Sequence, residues 1–213
     1  MKLKKPTIEV VDNFFPPDIA NFVSDFCHTT ASYKYGEADN EGNEHDPRKP
    51  TGLVHNVFFA DKPDATIGDD KLIFDCITTA IGKHYPNYWD KYGIYRLYIN
   101  VFAPNERAYF HNDADEGQDQ NTFLYYPIHD WDYDIEESGW TEFYLEKKII
   151  GVPPEWNTTC RFTSQILHRA SPFKSYQRFS IAVKTARQDD INRWCEHPET
   201  INRKDSADLS VMD

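Results

Sequence analysis

Tyr95-Arg96-Leu97-Tyr98-Ile99-Asn100-Val101-Phe102 is a mainly apolar, aromatic-rich run that leads, nine residues later, to His111-Asn112-Asp113. A run of that length and composition reads as a strand. Alternate residues of an extended segment point to one side, so the His111 imidazole and the Asp113 carboxylate can reach a common ion. The triplet alone is weak: with eight histidines and 35 acidic residues in 213, roughly one His-x-acid is expected by chance. The second one, His197-Pro198-Glu199, lies in a polar C-terminal stretch with no later histidine or strand, and reads as solvated surface.

Downstream of the triplet, short apolar segments alternate with turns at 122–126, 141–145, 148–152, 159–162, 166–168 and 178–184. That spacing predicts a mainly β fold, an antiparallel sandwich or jelly roll. Upstream, Ile8-Glu9-Val10-Val11 predicts a short strand. Asn13-Phe14-Phe15-Pro16-Pro17-Asp18 predicts entry into a helix that runs to about Cys27. Leu72, Ile73, Cys76, Ile77, Ala80 and Ile81 recur at three- and four-residue intervals, which predicts an amphipathic helix from about 69 to 84 packed on a sheet. From 29 to about 56 the chain is polar, with no sustained periodicity; such a segment is either a lid over an active site or a disordered excursion. Beyond Thr185 apolar content falls, with room for a short helix around 190–195 and then a tail. The organisation expected is one domain, with helical support at about 14–90, a jelly-roll core at about 93–187 and a polar tail at 188–213.

Composition sets outer limits. At 213 residues the chain can bury one full core. A net charge of -12 argues against a nucleic-acid partner, which calls for a basic surface. No apolar segment reaches 18 residues, so no membrane span is expected. Met1-Lys2-Leu3-Lys4-Lys5-Pro6 carries the charge of a signal peptide without its apolar stretch, and a cytoplasmic location follows as an expectation. Cys27, Cys76, Cys160 and Cys195 are too scattered for a zinc motif and too few for a disulfide scaffold, so they read as reduced and structural. Asn157-Thr158-Thr159 matches a glycosylation acceptor, and without a secretory signal it reads as an accident.

The longer pattern has more to say. His168 follows His111 after 57 residues, and Arg178 follows ten residues later. Between the ligand candidates, "TFLYYPIHDW" at Thr122 to Trp131 is similar to the Leu-Tyr-Tyr-Leu strand of prolyl hydroxylases in the iron- and 2-oxoglutarate-dependent oxygenase superfamily. "SGWTEFY" at Ser138 to Tyr144 resembles that family's Gly-Gly-x-Thr-x-Phe turn, "ILHRASPFKSYQRFSIAV" its strand, turn and strand around the second histidine, and "IEVVDNFFPPDI" its entry strand and helix. The resemblance is densest from Tyr95 to Lys184.

This resemblance implies a double-stranded β-helix core with N-terminal supporting helices. It implies that His111, Asp113 and His168 hold Fe(II), leaving one face of the ion open for cosubstrate and dioxygen. It further implies that Arg178 salt-bridges the distal carboxylate of 2-oxoglutarate, with a hydrogen bond from Tyr125 to the same group. Ser180 lies two residues beyond Arg178, on the same side of its strand, and is placed to assist. Trp131, Tyr133 and Trp140 either border the substrate entrance or cover the core edge. The activity implied is hydroxylation of a C–H bond, first of a prolyl residue in a peptide and second of a free amino acid or other small molecule, with ascorbate as a candidate reductant. Three other features depart from the family pattern: Phe102 where many relatives carry tyrosine, Trp140 beside the turn glycine, and Pro127 after Tyr126. The rival class is a hydrolytic or non-catalytic jelly roll holding zinc with the same ligands. Arg178 and Tyr125 argue against it, since a hydrolase has no need of a carboxylate clamp.

Overall fold

In chain order the elements are β1 (Ile8–Val11), α1 (Pro17–Asp25), a π-helical turn (Phe26–Thr30), β2 (Lys34–Glu37), β3 (Gly52–Phe59) and α2 (Gly68–His84). They continue with β4 (Tyr92–Phe102), β5 (Gln120–Tyr126), β6 (Thr141–Leu145), β7 (Lys148–Val152), β8 (Thr158–Thr163), β9 (Leu167–Ala170), β10 (Arg178–Arg187) and α3 (Gln188–Glu196). The computed structural model describes residues 7–37, 52–106, 108–129, 139–171 and 177–197. The strands form a seven-stranded sheet in the order β1-β8-β5-β10-β4-β3-β2 and a three-stranded sheet in the order β7-β6-β9, with antiparallel pairing throughout.

The central strand explains the layering. Nine of the ten residues of β10 are buried, so both faces are covered and the sequence Arg-Phe-Ser-Ile-Ala-Val-Lys-Thr-Ala shows little polar alternation. Phe179, Ile181 and Val183 face the helices, packing in one cluster with Val23 of α1, Ile73, Ile77 and Ile81 of α2, and Phe123 and Tyr125 of β5. Ala182 faces the other way, in a second cluster with Leu124, Tyr126, Phe143 of β6, Cys160 and Phe162. The space between the two sheets is therefore lined by every second residue of β4, β5 and β10.

The helix expected at about 69–84 is present as α2, with Ile73, Ile77 and Ile81 fully buried; truncating one of these to alanine would cost about 2–5 kcal/mol. The α1 helix takes Pro17 in its first turn, where a missing N–H costs nothing, and carries Asp18 there as well. The expected strands and the C-terminal helix appear with shifts of up to three residues.

The segment expected to lack structure from 29 to 56 is corrected in part. Residues 34–37 and 52–59 pair as β2 and β3 and extend the large sheet, while 38–51 lie outside the described residues. The tail expected after the last helix also lies outside them. The β3 strand was hidden because its polar residues find partners distant in sequence: His55 Nε2 meets Asp70 Oδ1 of α2 at 2.8 Å, its Nδ1 lies 3.0 Å from the Ser32 carbonyl, and a bulge falls between Asn56 and Phe58. Among the described residues no helix is long and apolar enough to cross a membrane.

Candidate metal centre and adjoining cavity

Local backbone bonds bring the two histidines together. His111 and His168 exchange a pair of backbone hydrogen bonds, N–H to carbonyl at 3.0 and 2.9 Å, as an isolated antiparallel bridge beside β9. Asp113 is fixed by its own N–H, which donates to the Ser164 carbonyl at 2.8 Å. Each histidine Nδ1 lies against a carbonyl, Tyr109 O at 3.0 Å for His111 and Ile166 O at 2.9 Å for His168. A carbonyl can only accept, so both Nδ1 atoms carry a proton and Nε2 is the nitrogen of each ring left to face a metal, the arrangement a metal-binding imidazole needs.

His111 Nε2 stands 3.7 Å from Asp113 Oδ1, and His168 Nε2 stands 3.5 Å from Asp113 Oδ2. These distances are too long for good hydrogen bonds and short enough for the atoms to share an ion at roughly 2.1 Å from each. One donor atom from each of the three residues lies within 4.8 Å of the others. Burial pushes the Asp113 carboxyl up, but the Lys184 ammonium, the main opposing influence, holds the group well below the usual carboxylate range. Burial pushes His168 down to about 3 against the pull of Asp113, so its ring is neutral. Two imidazoles and an ionised carboxylate are the donor set of a facial two-histidine, one-carboxylate iron site, and the residues present fit such an ion.

The space beside this group is a cavity walled by Tyr98, Asn100 and Phe102 of β4, Leu124 of β5, Thr141 of β6 and Arg178, Ser180 and Lys184 of β10. Arg178 is 3% exposed. Its Nε donates to Gly139 O at 2.8 Å, its Nη2 to Thr141 Oγ1 at 2.9 Å and its Nη1 to Ser180 Oγ at 3.4 Å, with the guanidinium 5.6 Å from the Tyr126 ring. Among the described residues no carboxylate pairs with it. Burial lowers its pKa and Tyr126 opposes that shift.

The structure brings His111, Asp113, His168, Arg178 and Ser180 around one cavity. Tyr125 is a correction. It sits on the helix-facing side of β5, against Phe14 and Phe15, with its hydroxyl 3.4 Å from Asn157 Oδ1. The side-chain period of two leaves the neighbour, Tyr126, on the inner face, where its hydroxyl meets Thr141 Oγ1 at 2.7 Å. Trp140 packs its ring over Gly151 of β7, where an added β-carbon would be 2.3 Å away, and it is not among the residues lining the cavity. Trp131 and Tyr133 lie outside the described residues.

Two residues of the site went unread in the sequence. The Lys184 ammonium contacts Asp113 Oδ2, and Thr122 Oγ1 donates to the same oxygen at 2.6 Å. Strand parity was the available signal, since Lys184 lies six residues from Arg178 and Thr122 four from Tyr126, each pair on one face.

No protein-family model and no curated protein matches the sequence. Solved structures do match in three dimensions. A 2OG-Fe(II) oxygenase-family oxidoreductase from Burkholderia pseudomallei superposes with a TM-score of 0.62 at 12% identity, covering 85% of this chain and 84% of that one. A Pseudomonas putida prolyl-4-hydroxylase gives 0.58 at 14% identity, over 86% of this chain and 94% of that one. A Trichoplax adhaerens prolyl hydroxylase, in complex with a peptide fragment of the hypoxia inducible factor oxygen degradation domain, gives 0.59 at 14% identity, over 87% and 85%. Two antiparallel sheets enclosing a His-Asp-His group, and superposition over most of the length of these proteins, give the chain the double-stranded β-helix fold of the 2-oxoglutarate–Fe(II) oxygenases.

Proposed function

We propose that the chain is an Fe(II)- and 2-oxoglutarate-dependent oxygenase that hydroxylates a C–H bond, with a prolyl residue of a peptide as the leading substrate. The observation that carries this reading is Arg178. A guanidinium buried with no acidic partner among the described residues suits a place where an anion binds. Its position in the same cavity as His111, Asp113 and His168 suits a dianion that spans from the metal to the arginine.

In this reading His111 Nε2, His168 Nε2 and an Asp113 oxygen hold the ion, and the backbone bridge and the Nδ1 bonds keep the imidazoles aimed. Arg178 takes the distal carboxylate, aided by the Ser180 hydroxyl and, on the inner face of β5, by Tyr126. Phe102 and Leu124 give the cavity apolar walls that exclude water. When bound, iron and 2-oxoglutarate supply an oxidant from dioxygen, with release of succinate and carbon dioxide. The prolyl preference draws on the similarity to prolyl hydroxylases, one of them solved with a peptide.

The test is incubation with Fe(II), 2-oxoglutarate, ascorbate and a library of proline-containing peptides, read by mass spectrometry and by succinate release. A gain of one oxygen on a prolyl residue, lost in His168→Ala, is expected. Succinate production that persists in His168→Ala would overturn the assignment of the metal site.

A further inference from the structure

Independently of the metal centre, we propose that the chain forms a two-fold symmetric dimer in which β7 pairs antiparallel with β7 of a second copy, joining the two small sheets into one. Among the described residues seven large hydrophobic side chains are exposed, and four of them, Tyr144, Ile149, Ile150 and Leu167, lie on this one three-stranded sheet. Tyr144 sits opposite both Ile149 and Leu167, so these three form a row across the outer face. The β7 strand is an edge, paired among the described residues with β6 alone, and its Ile149 and Ile150 are 56% and 46% exposed. An apolar edge of this kind is a template for another strand.

Strand register decides which strand fits. Glu146 and Lys147 have φ of 49° and 63°, the two-residue turn that makes Leu145 and Lys148 the closing hydrogen-bonded pair. Bonding then alternates, so Lys148, Ile150 and Val152 turn their backbone groups to β6, while Ile149 and Gly151 turn theirs outward. The other side of the sheet obeys the same alternation: His168, opposite Phe143, turns its N–H and carbonyl away from β6 to His111. An antiparallel copy centred on Ile150 sets Ile149 opposite Gly151 of the second copy, with the outward groups meeting. Ile150 then faces itself in a pair without backbone bonds, where side chains come closest. The ladder ends at Pro153, which has no N–H to give. Shape and charge agree with this register. Gly151 carries no β-carbon beneath the Trp140 ring, so Ile149 of one copy packs beside Trp140 of the other. The exposed Lys147 and Lys148 at one end fall near the exposed Glu155 of the second copy. Self-complementarity in all three respects is what an isologous interface requires, and it selects a second copy over an unrelated strand.

The pairing is short, below the roughly 1,200 Å² of total burial at which stable interfaces begin, so the dimer should be weak and concentration-dependent. Sedimentation velocity of the full chain from about 1 µM to about 1 mM should show monomer giving way to dimer. Ile150→Lys, which sets like charges across the two-fold axis at an exposed position, should weaken association by about ten-fold or more and keep a cooperative melt. In a Cys195→Ser background, which removes the exposed native thiol, Ile150→Cys should cross-link to a covalent dimer under mild oxidation. Paired Cα atoms about 4.5 Å apart suit a disulfide there, whereas Ile149→Cys, offset from its own copy, should not cross-link. Wild type that stays monomeric at the top of that range overturns the proposal. So does a dimer that Ile150→Lys leaves intact, or cross-linking as fast at 149 as at 150. If Ile150→Lys does not fold, the two cysteine variants decide.

Discussion

At the scale of single residues, the proposed function assigns one group of side chains in the cavity to an ion and another to an anion. Arg178 cannot ligate a cation, and among the described residues it donates to a carbonyl and two hydroxyls, none of which neutralises it. Replacing it with methionine should raise the KM for 2-oxoglutarate by ten- to a hundred-fold, about what charge-assisted hydrogen bonds contribute, with metal content unchanged. The adjacent tyrosines give an internal control. Tyr126→Phe should raise the same KM, because its hydroxyl bonds Thr141 Oγ1, which itself accepts from Arg178. Tyr125→Phe should leave it alone and cost at most about 1 kcal/mol of stability, since the bond it removes is long and on the far side of the sheet. A KM change confined to Tyr125→Phe would reverse the placement of the two rings. His111, Asp113, His168 and Arg178 were legible in the sequence because their types and spacing resemble a known arrangement. Lys184 was not, because a lone lysine in an apolar strand looks the same whether its partner is solvent or a carboxylate 71 positions earlier.

At the scale of elements, the strands and α2 could be read from their runs and periods, since each buries a face that composition reveals. The β3 strand could not, because its polar residues are satisfied by contacts distant in sequence. Asn157 shows the same limit. Its sequence reads as a glycosylation acceptor, whereas in the fold it is 1% exposed and clamps the entry to α1: Oδ1 accepts from Phe15 N at 2.9 Å, Nδ2 donates to Phe15 O at 2.9 Å, and its own carbonyl accepts from Phe14 N at 2.9 Å. Its φ of 58° suits asparagine better than most residues. Asn157→Ala should therefore destabilise the fold by about 3 kcal/mol, through two stranded backbone groups and a left-handed alanine. Chemical unfolding would measure it, and a change under 1 kcal/mol would show that the clamp is dispensable.

At the scale of the whole molecule, burial sets how stability depends on pH. The Cys160 thiol is pushed from its usual 9.0 up to about 12 by burial, and burial drives Cys27 further in the same direction. Their folded pKa values stand above the unfolded ones, so the stability they contribute is full below pH 9.0 and drains away as pH rises toward 12. The unfolding free energy should hold level to about pH 8.5 and then fall, and Cys160→Ala should flatten part of that slope. In native protein a thiol reagent should modify the exposed Cys195 and spare Cys27 and Cys160 until denaturant is added. The pairing of β1 with β8, which sets Ile8 opposite Phe162, also bears on how the chain is made. At a ribosome's roughly 5–20 residues per second, β1 waits on the order of ten seconds for its partner. His111 likewise emerges well before His168, and Arg178 later still. A nascent chain therefore carries an incomplete ligand set until β9 and β10 emerge, and a polypeptide arrested before β9 would hold neither the second imidazole nor the arginine, however much iron surrounded it.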